Sequence, residues 1–404
     1  MQTLLTAAWI APMTGPPLRD AGVVFDSQHI LAIGPLAALR GSYPQAEIWD
    51  AGNSVILPGL VNAHTHLELS SIVRSAPPAR FVDWIIDLMG RGSAIDTPAA
   101  MRLGIQQCLR FGVTSVGDIT VQPQVTRPEI AASPLQGVSY GEVRAMAQRR
   151  GFLDARLSAA IEPAAIQPGI EPGIQPGISP HAPYSIEREG YVRCLAQSVN
   201  LNLPLTTHLA ETPDEAAFLA DHTGPFKALW EYLNAWDERV PRFAGGPIRF
   251  AKAVGLLDYP TLLAHVNYCD DAELDLLAQG RASVVYCPRT HEFFGHPPHR
   301  WREMQARGIN VAVGTDSCAS SPDLNLVDEL RLLHRLAPQA DPMTLWQMAT
   351  TNAAAALQRT DVGSLVAGHR ADAVIFAAKS DDPLREILEQ PLLPMQVWAG
   401  GVLL

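Results

Sequence analysis

The sequence is short of paired cysteine, of basic charge and of long apolar runs, and each shortage removes a class of protein. Its five cysteines, Cys108, Cys194, Cys269, Cys287 and Cys318, are odd in number and form no C-x-x-C pair. That argues against both a disulfide framework and a thiolate zinc site. The first twenty residues, "MQTLLTAAWIAPMTGPPLRD", carry no basic residue ahead of their apolar stretch. We therefore expect no secretory signal, reduced thiols and a cytoplasmic protein. No apolar run approaches the roughly 20 residues that span a bilayer, so a membrane is not expected as a partner. Lysine and arginine together number 30 against 41 acidic residues, a formal net charge of −11. Such a surface repels phosphate backbones and argues against nucleic acid as the main partner. What is present, 404 residues with 47% hydrophobic and 18% charged side chains, suits one large barrel and a small accessory unit.

Eight β-rich runs recur between residues 55 and 316: "SVILPGLVNAHTH", "VTSVGDI", "LQGVSYGEV", "IQPGISPHAP", "LPLTTHLAET", "TLLAHVNY", "ASVVYCPRT" and "NVAVGTDS". The stretches between them include helical patterns, such as Phe81, Ile85 and Leu88, or Leu326, Leu330 and Leu333. Eight strand–helix repeats predict an α/β protein, a (β/α)8 TIM barrel over residues 57–361. Residues 1–56 and 362–404 hold short apolar runs with Gly and Pro turns, and predict one discontinuous β-sandwich domain formed by both termini. Residues 166–178, "IQPGIEPGIQPGI", repeat a four-residue unit. This density of Pro and Gly predicts a turn-rich surface loop leading into the fourth strand.

Polar residues stand where several strand runs end. His64 and His66 are two apart at the end of the first run, and on a strand such residues share a face. His208 ends the fifth run with Glu211 just beyond, His265 ends the sixth, and Asp316 ends the eighth. One such histidine is ordinarily structural. Ionisable groups gathered at corresponding ends of four strands are costly unless paired or bound to metal. His64, His66, His208 and Asp316 make a suitable set for one divalent transition metal with a position left for water.

The ordered set "PGLVNAHTHLE", "SPHAPYS", "THLAET", "AHVNY", "GTDSCASSPDLNLVDELR", "MATTNAAAAL" and "GSLVAGHRADAVIF" resembles the amidohydrolase superfamily, in its mononuclear aminohydrolase branch. That branch includes deaminases of adenosine-like nucleosides, cytosine and guanine, and triazine hydrolases. The resemblance implies that His64, His66, His208 and Asp316 bind the metal. It implies that Glu211 handles protons at a ring nitrogen, that His265 contacts the attacking water, and that His181 contacts substrate. Asp316 would accept the water's proton, and ammonia would leave. Binuclear branches bridge two metals with a carboxylated lysine. Here Lys227, Lys252 and Lys379 are the only lysines and none ends a strand run, so one metal ion is expected, zinc with iron as the alternative.

The chain departs from its relatives after the seventh run, where many have "CP-x-S-N" and this sequence has "CPRTHEFFGHPPHRW". Its Arg289, His291, His296 and His299 admit a second metal site, an anion pocket or a substrate-lining loop. We expect the last, with Arg289 and His291 as substrate contacts, because barrel loops at this end set specificity. "HTHLE" and "DHTGPF" resemble aminofutalosine-type deaminases, in which case Glu68 would hydrogen-bond a polar substrate group. The expected partner is a small heterocyclic molecule, and the relatives imply a homo-oligomer. The rival readings are hydrolysis of another C–N or a C–Cl bond, and a metal- or ligand-binding protein without catalysis.

Overall fold

The structure is a computed structural model that describes residues 2–162 and 173–404. Its centre is an eight-stranded parallel sheet whose neighbours follow chain order: β1 (Leu60–Thr65), β2 (Val113–Thr120), β3 (Gln136–Val143), β4 (Ile174–Pro180), β5 (Leu205–Leu209), β6 (Thr261–His265), β7 (Ser283–Tyr286) and β8 (Val311–Val313). Nearly every residue in these strands is buried, as expected where helices cover one face and the barrel interior the other. The helical patterns read from the sequence are realised. Phe81, Ile85 and Leu88 lie on α1 (Phe81–Gly92) and pack into an aromatic cluster with Trp84, Tyr184, Phe226, Trp230 and Phe293. Leu326, Leu330 and Leu333 form the wholly buried stripe of α2 (Leu326–Leu336).

The barrel closes between β8 and β1 through loop and side-chain bonds. Asp316 N donates to the His64 carbonyl at 3.1 Å, and Thr65 bridges Asp316 in parallel. The buried Asn62 amide accepts from Thr315 N at 3.1 Å and donates to Thr315 Oγ1 at 2.8 Å. Gly314 lies so close to β1 that a Cβ there would sit 2.6 Å from the His64 carbonyl oxygen. Only glycine lets the two segments approach this closely.

The termini build two further sheets. One runs Ile30–Pro35, Ala21–Phe25, Thr3–Thr6, Glu47–Asp50; the other runs Val402–Leu403, Gln396–Ala399, Ala373–Ala377, Ser54–Pro58, Trp9–Ile10. Leu5, Val23 and Phe25 from the first meet Ile10, Ile56, Ile375 and Trp398 from the second in one core, so the two sheets pack face to face. The expected boundary at residue 57 falls inside Ser54–Pro58, which pairs antiparallel with Ala373–Ala377.

Two expectations, a turn-rich loop over residues 166–178 and a fourth strand run opening at Ile174, overlap on the third copy of the "IQPG" repeat. Residues 166–172 lie outside the described residues, and the third copy belongs to β4, a central strand, so the strand run holds there and the loop does not. β4 pairs with β3 from Ile174 against Gly137 to Pro180 against Val143. On its other side β4 meets β5 only at Ile178 against Leu205. A strand so sparsely bonded on one edge tolerates the donor that Pro176 lacks. Gly177 leaves room for the Tyr140 ring, which a Cβ would meet at 2.5 Å.

Candidate metal centre and active site

The C-terminal ends of β1, β5, β6 and β8 bring their polar residues to one place. The His64 ring centroid lies 5.1 Å from that of His66, 5.0 Å from His208 and 5.4 Å from His265. His64, His66 and His208 each offer a ring nitrogen, all within 4.8 Å of one another. Asp316 Oδ1 stands 3.7 Å from His66 Nε2 and 4.0 Å from His64 Nε2. The backbone is forced at these tips: Ala210, His265 and Asp316 have φ of +51°, +74° and +55°. Non-glycine residues held there carry strain of about 1–3 kcal/mol each, a cost that concentrates at functional sites.

The donors fit a cation. Both His64 nitrogens are buried with no hydrogen-bond partner among the described residues, a cost that a metal ligand does not incur. His208 Nδ1 donates to the His181 carbonyl at 3.2 Å, leaving its Nε2 lone pair free for the cluster. Burial first, then the neighbouring imidazoles and Arg144, pushes His64 and His66 well below the usual histidine range. Burial brings His208 down to about 4. The rings are therefore neutral at pH 7, the form that ligates metal. Burial raises Asp316 to about 6, opposed by the Ser320 hydroxyl that donates to Oδ2 at 3.1 Å. A bound cation would favour the carboxylate.

Glu211 follows β5 and faces His265, with Oε1 3.5 Å from Nε2. Burial, then Asp316 and Glu215, raises its pKa well above the usual carboxylate value, which favours the protonated acid. Its position rests on a residue that sequence reading missed. Glu215 is completely buried and accepts from the backbone N–H groups of Ala210, Glu211 and Thr212 at 2.9, 2.6 and 3.3 Å. Asn267 ties the Glu211 carbonyl at 3.0 Å.

These groups line one end of a cavity of about 410 Å³, a size that takes a small-molecule ligand. Its outer wall is apolar, from Phe81, Trp84, Ile85, Leu88, Leu229 and Trp230. A larger hollow of about 500 Å³ lies between residues 14–17 and 381–385 and contains none of these groups. The chemistry, not the volume, locates the site.

His181 and Glu68 line the cavity. His181 Nδ1 bonds Ser185 Oγ at 2.6 Å, and its Nε2 stands 3.3 Å from Glu142. Both Glu68 oxygens are already engaged, by Thr120 Oγ1 at 2.7 Å and Val121 N at 3.1 Å. Arg289 and His291, expected as substrate contacts, are not among the residues that line this cavity. Arg289 Nε donates to Glu329 at 2.6 Å, while Nη1 and Nη2 donate to the Asp323 carboxylate and carbonyl at 2.7 and 2.8 Å. Each of its three guanidinium nitrogens is engaged by this pair of residues. His291 is buried against Tyr286 and His296, with ring centroids 5.3 Å from each.

Missed altogether were Glu142 near the end of β3 and Arg144, Arg149 and Arg156 beyond it, which all line the cavity. Glu142 is buried, pairs with Arg144, and offers an oxygen within 4.8 Å of His181 and His208 nitrogens. The strand-tip rule that found His208 would have found it, since "LQGVSYGEV" ends on the same pattern.

Known proteins match this arrangement. The profile of the amidohydrolase family matches residues 55–397. An aminodeoxyfutalosine deaminase of Deinococcus radiodurans is 32% identical over 358 residues, covering 86% of this chain and 83% of that one. A 5-methylthioadenosine/S-adenosylhomocysteine deaminase of Nitratidesulfovibrio vulgaris is 29% identical over 371 residues, covering 89% and 80%. The structure of Helicobacter pylori aminofutalosine deaminase in complex with methylthio-coformycin superimposes with a TM-score of 0.88 over 100% of both chains. At 23% identity that likeness is one of fold. With a parallel (β/α)8 barrel, a histidine cluster at its strand ends and a profile match over most of its length, the chain belongs to the amidohydrolase family.

Proposed function

We propose that this chain is a hydrolytic deaminase of an adenosine-like nucleoside, with aminodeoxyfutalosine the first compound to test. The observation that carries the reading is the buried Glu211 carboxyl beside His265, in a cavity lined also by His66, His208 and Asp316, with His64 against His66 and His208. These last four would hold one divalent cation. Zinc is our choice from a set of three imidazoles and a carboxylate, and iron suits the same donors. When bound, the cation supplies the Lewis acidity that brings a water's pKa toward neutrality.

The chain's own residues do the rest. Asp316 takes a proton from water as its oxygen attacks the amino-bearing ring carbon, with His265 orienting that water. Glu211 gives its proton to the adjacent ring nitrogen, where negative charge would otherwise build up. The proton held by Asp316 passes to the departing amine, and the remaining hydroxyl proton restores Glu211. A ring carbonyl and ammonia result. Arg144, Arg149 and Arg156 in a chain of net charge −11 favour a substrate whose far substituent is anionic. The five free cysteines suit a reducing compartment, and we place the enzyme in the cytoplasm.

The test is ammonia release by metal-analysed protein from adenosine-like nucleosides with neutral or carboxylate-bearing ribose substituents. The expected result is near-stoichiometric metal and a higher kcat/KM for the carboxylate-bearing compounds. Chloride release from a chlorinated heterocycle, without ammonia from any nucleoside, would overturn the assignment.

A further inference from the structure

The histidine-rich loop that departs from the family pattern does not line the cavity, yet it lies against the active site from outside. Three of its side chains, His296, His299 and Arg300, meet one segment, residues 265–269. His299 Nε2 is 2.8 Å from the carbonyl oxygen of His265. His296 Nδ1 is 3.0 Å from the Tyr268 hydroxyl, and Arg300 Nη1 donates to the Cys269 carbonyl at 3.2 Å. A carbonyl oxygen only accepts, so His299 carries its hydrogen on Nε2. Burial brings this ring down to about 3, which keeps it neutral. It is also held in place, stacked on Tyr286 with centroids 3.9 Å apart and planes 13° from parallel.

The bond matters because of the backbone it meets. Val266 N donates to the Leu209 carbonyl of β5 at 3.0 Å and is shared with the Ala264 carbonyl at 3.2 Å, the second bond closing a three-residue turn centred on His265. His265 has φ +74° and Val266 φ +49°. A γ-turn with positive φ is rare and strained, more so at a non-glycine residue. It persists only where the surroundings over-determine it. The turn carries the His265 imidazole to within 3.5 Å of Glu211 and 5.5 Å, ring to ring, of His208. A relaxed, extended residue 265 would point its ring elsewhere.

We propose that His299 is a positioning residue: by donating Nε2–H to the His265 carbonyl it holds the strained turn that presents the His265 imidazole to the reacting water. The inference rests on the role given to His265 above. It makes the loop a strap behind the catalytic machinery, where a specificity loop was expected.

The experiment uses the metal-loaded enzyme and an accepted aminated nucleoside. His299→Phe keeps a ring for Tyr286 and removes the donor. His299→Asn, whose shorter amide does not reach the carbonyl, is a second donor-deleting variant in case Phe is not accommodated. His299→Gln retains reach and donor. A misplacement on the order of 1 Å costs about 10²-fold, so Phe and Asn should lower kcat by roughly that factor. KM should stay within about twofold and metal content should equal wild type, while Gln recovers most of the rate. In a His265→Ala background, His299→Phe should cost nothing further, because the two act as one unit. Wild-type kcat in the donor-deleted variants, the same loss in the His265→Ala background, or a loss that tracks metal content would overturn the proposal. If His265→Ala alone keeps wild-type turnover, the failure lies with the role of His265 itself.

Discussion

Gly314→Ala is the smallest change that tests whether barrel closure and metal binding are one structural problem. The added methyl would lie 2.6 Å from the His64 carbonyl oxygen, 2.8 Å from its Cβ and 2.9 Å from its nitrogen. Ordinary contact begins at 3.4 Å, so β1 and the segment after β8 must part by about 0.8 Å. No flexible side-chain tip is there to yield; all three obstacles belong to His64 close to its backbone. His64 stands on one side of the seam and Asp316 on the other, joined by the Asp316 N–H bond to the same carbonyl. Overpacking of this kind costs about 1–3 kcal/mol. A displacement approaching 1 Å between ligands on opposite sides costs about 10²-fold in turnover. The assay is thermal unfolding, metal content by elemental analysis and ammonia release, each against wild type. A folded Gly314→Ala protein with full metal and turnover within twofold of wild type would refute the coupling.

Three further outcomes are expected. Glu211→Gln should keep its metal and lose turnover by about 10²–10⁴-fold; wild-type-like ammonia release would remove Glu211 from its role. Arg289→Leu should leave KM for any accepted nucleoside within about twofold while destabilising the fold by roughly 3–5 kcal/mol, because it strands the buried Glu329. A large KM effect in protein that remains folded would return Arg289 to the substrate. Burial raises Glu215 from 4.5 to about 7 against the three N–H donors that oppose it. The folded state thus prefers the protonated acid, and that contribution is complete below about pH 4.5 and lost as pH rises through 7. Tm measured from pH 4.5 to 8 should therefore shift steadily in favour of Glu215→Gln relative to wild type, and a constant difference would contradict this.

The barrel and the polar residues at its strand ends were legible because they are local events, an apolar run that stops at a histidine or an aspartate. His64 and His66, His208 and Asp316 each announce themselves within a dozen residues. What was not legible depends on partners distant in the chain. Arg289 and His291 looked like cavity residues because nothing near them in sequence shows that Glu329 and Asp323 fold back to occupy the guanidinium. Glu215 looked like one of the acidic residues that begin a helix, and only the turn at Ala210 to Thr212 reveals three N–H groups aimed at it. The third "IQPG" copy reads both as the end of a loop and as the start of the fourth strand run, because propensity speaks against Pro176 and Gly177. The neighbouring strands decide for the strand, one needing no donor and the other needing space for Tyr140.

The pairing of Ser54–Pro58 with Ala373–Ala377 has a consequence for the order in which the molecule comes together. The strand that leads directly into His64 can pair early with Trp9–Ile10, but its second partner is not made until nearly all of the barrel has been synthesised. Closing so wide a loop is entropically slow. Until it closes, His64 and His66 hang from an unfinished sheet edge. Acquisition of the cation should then come late in assembly, and refolding in its absence should stall with a nearly complete barrel that is open at one seam.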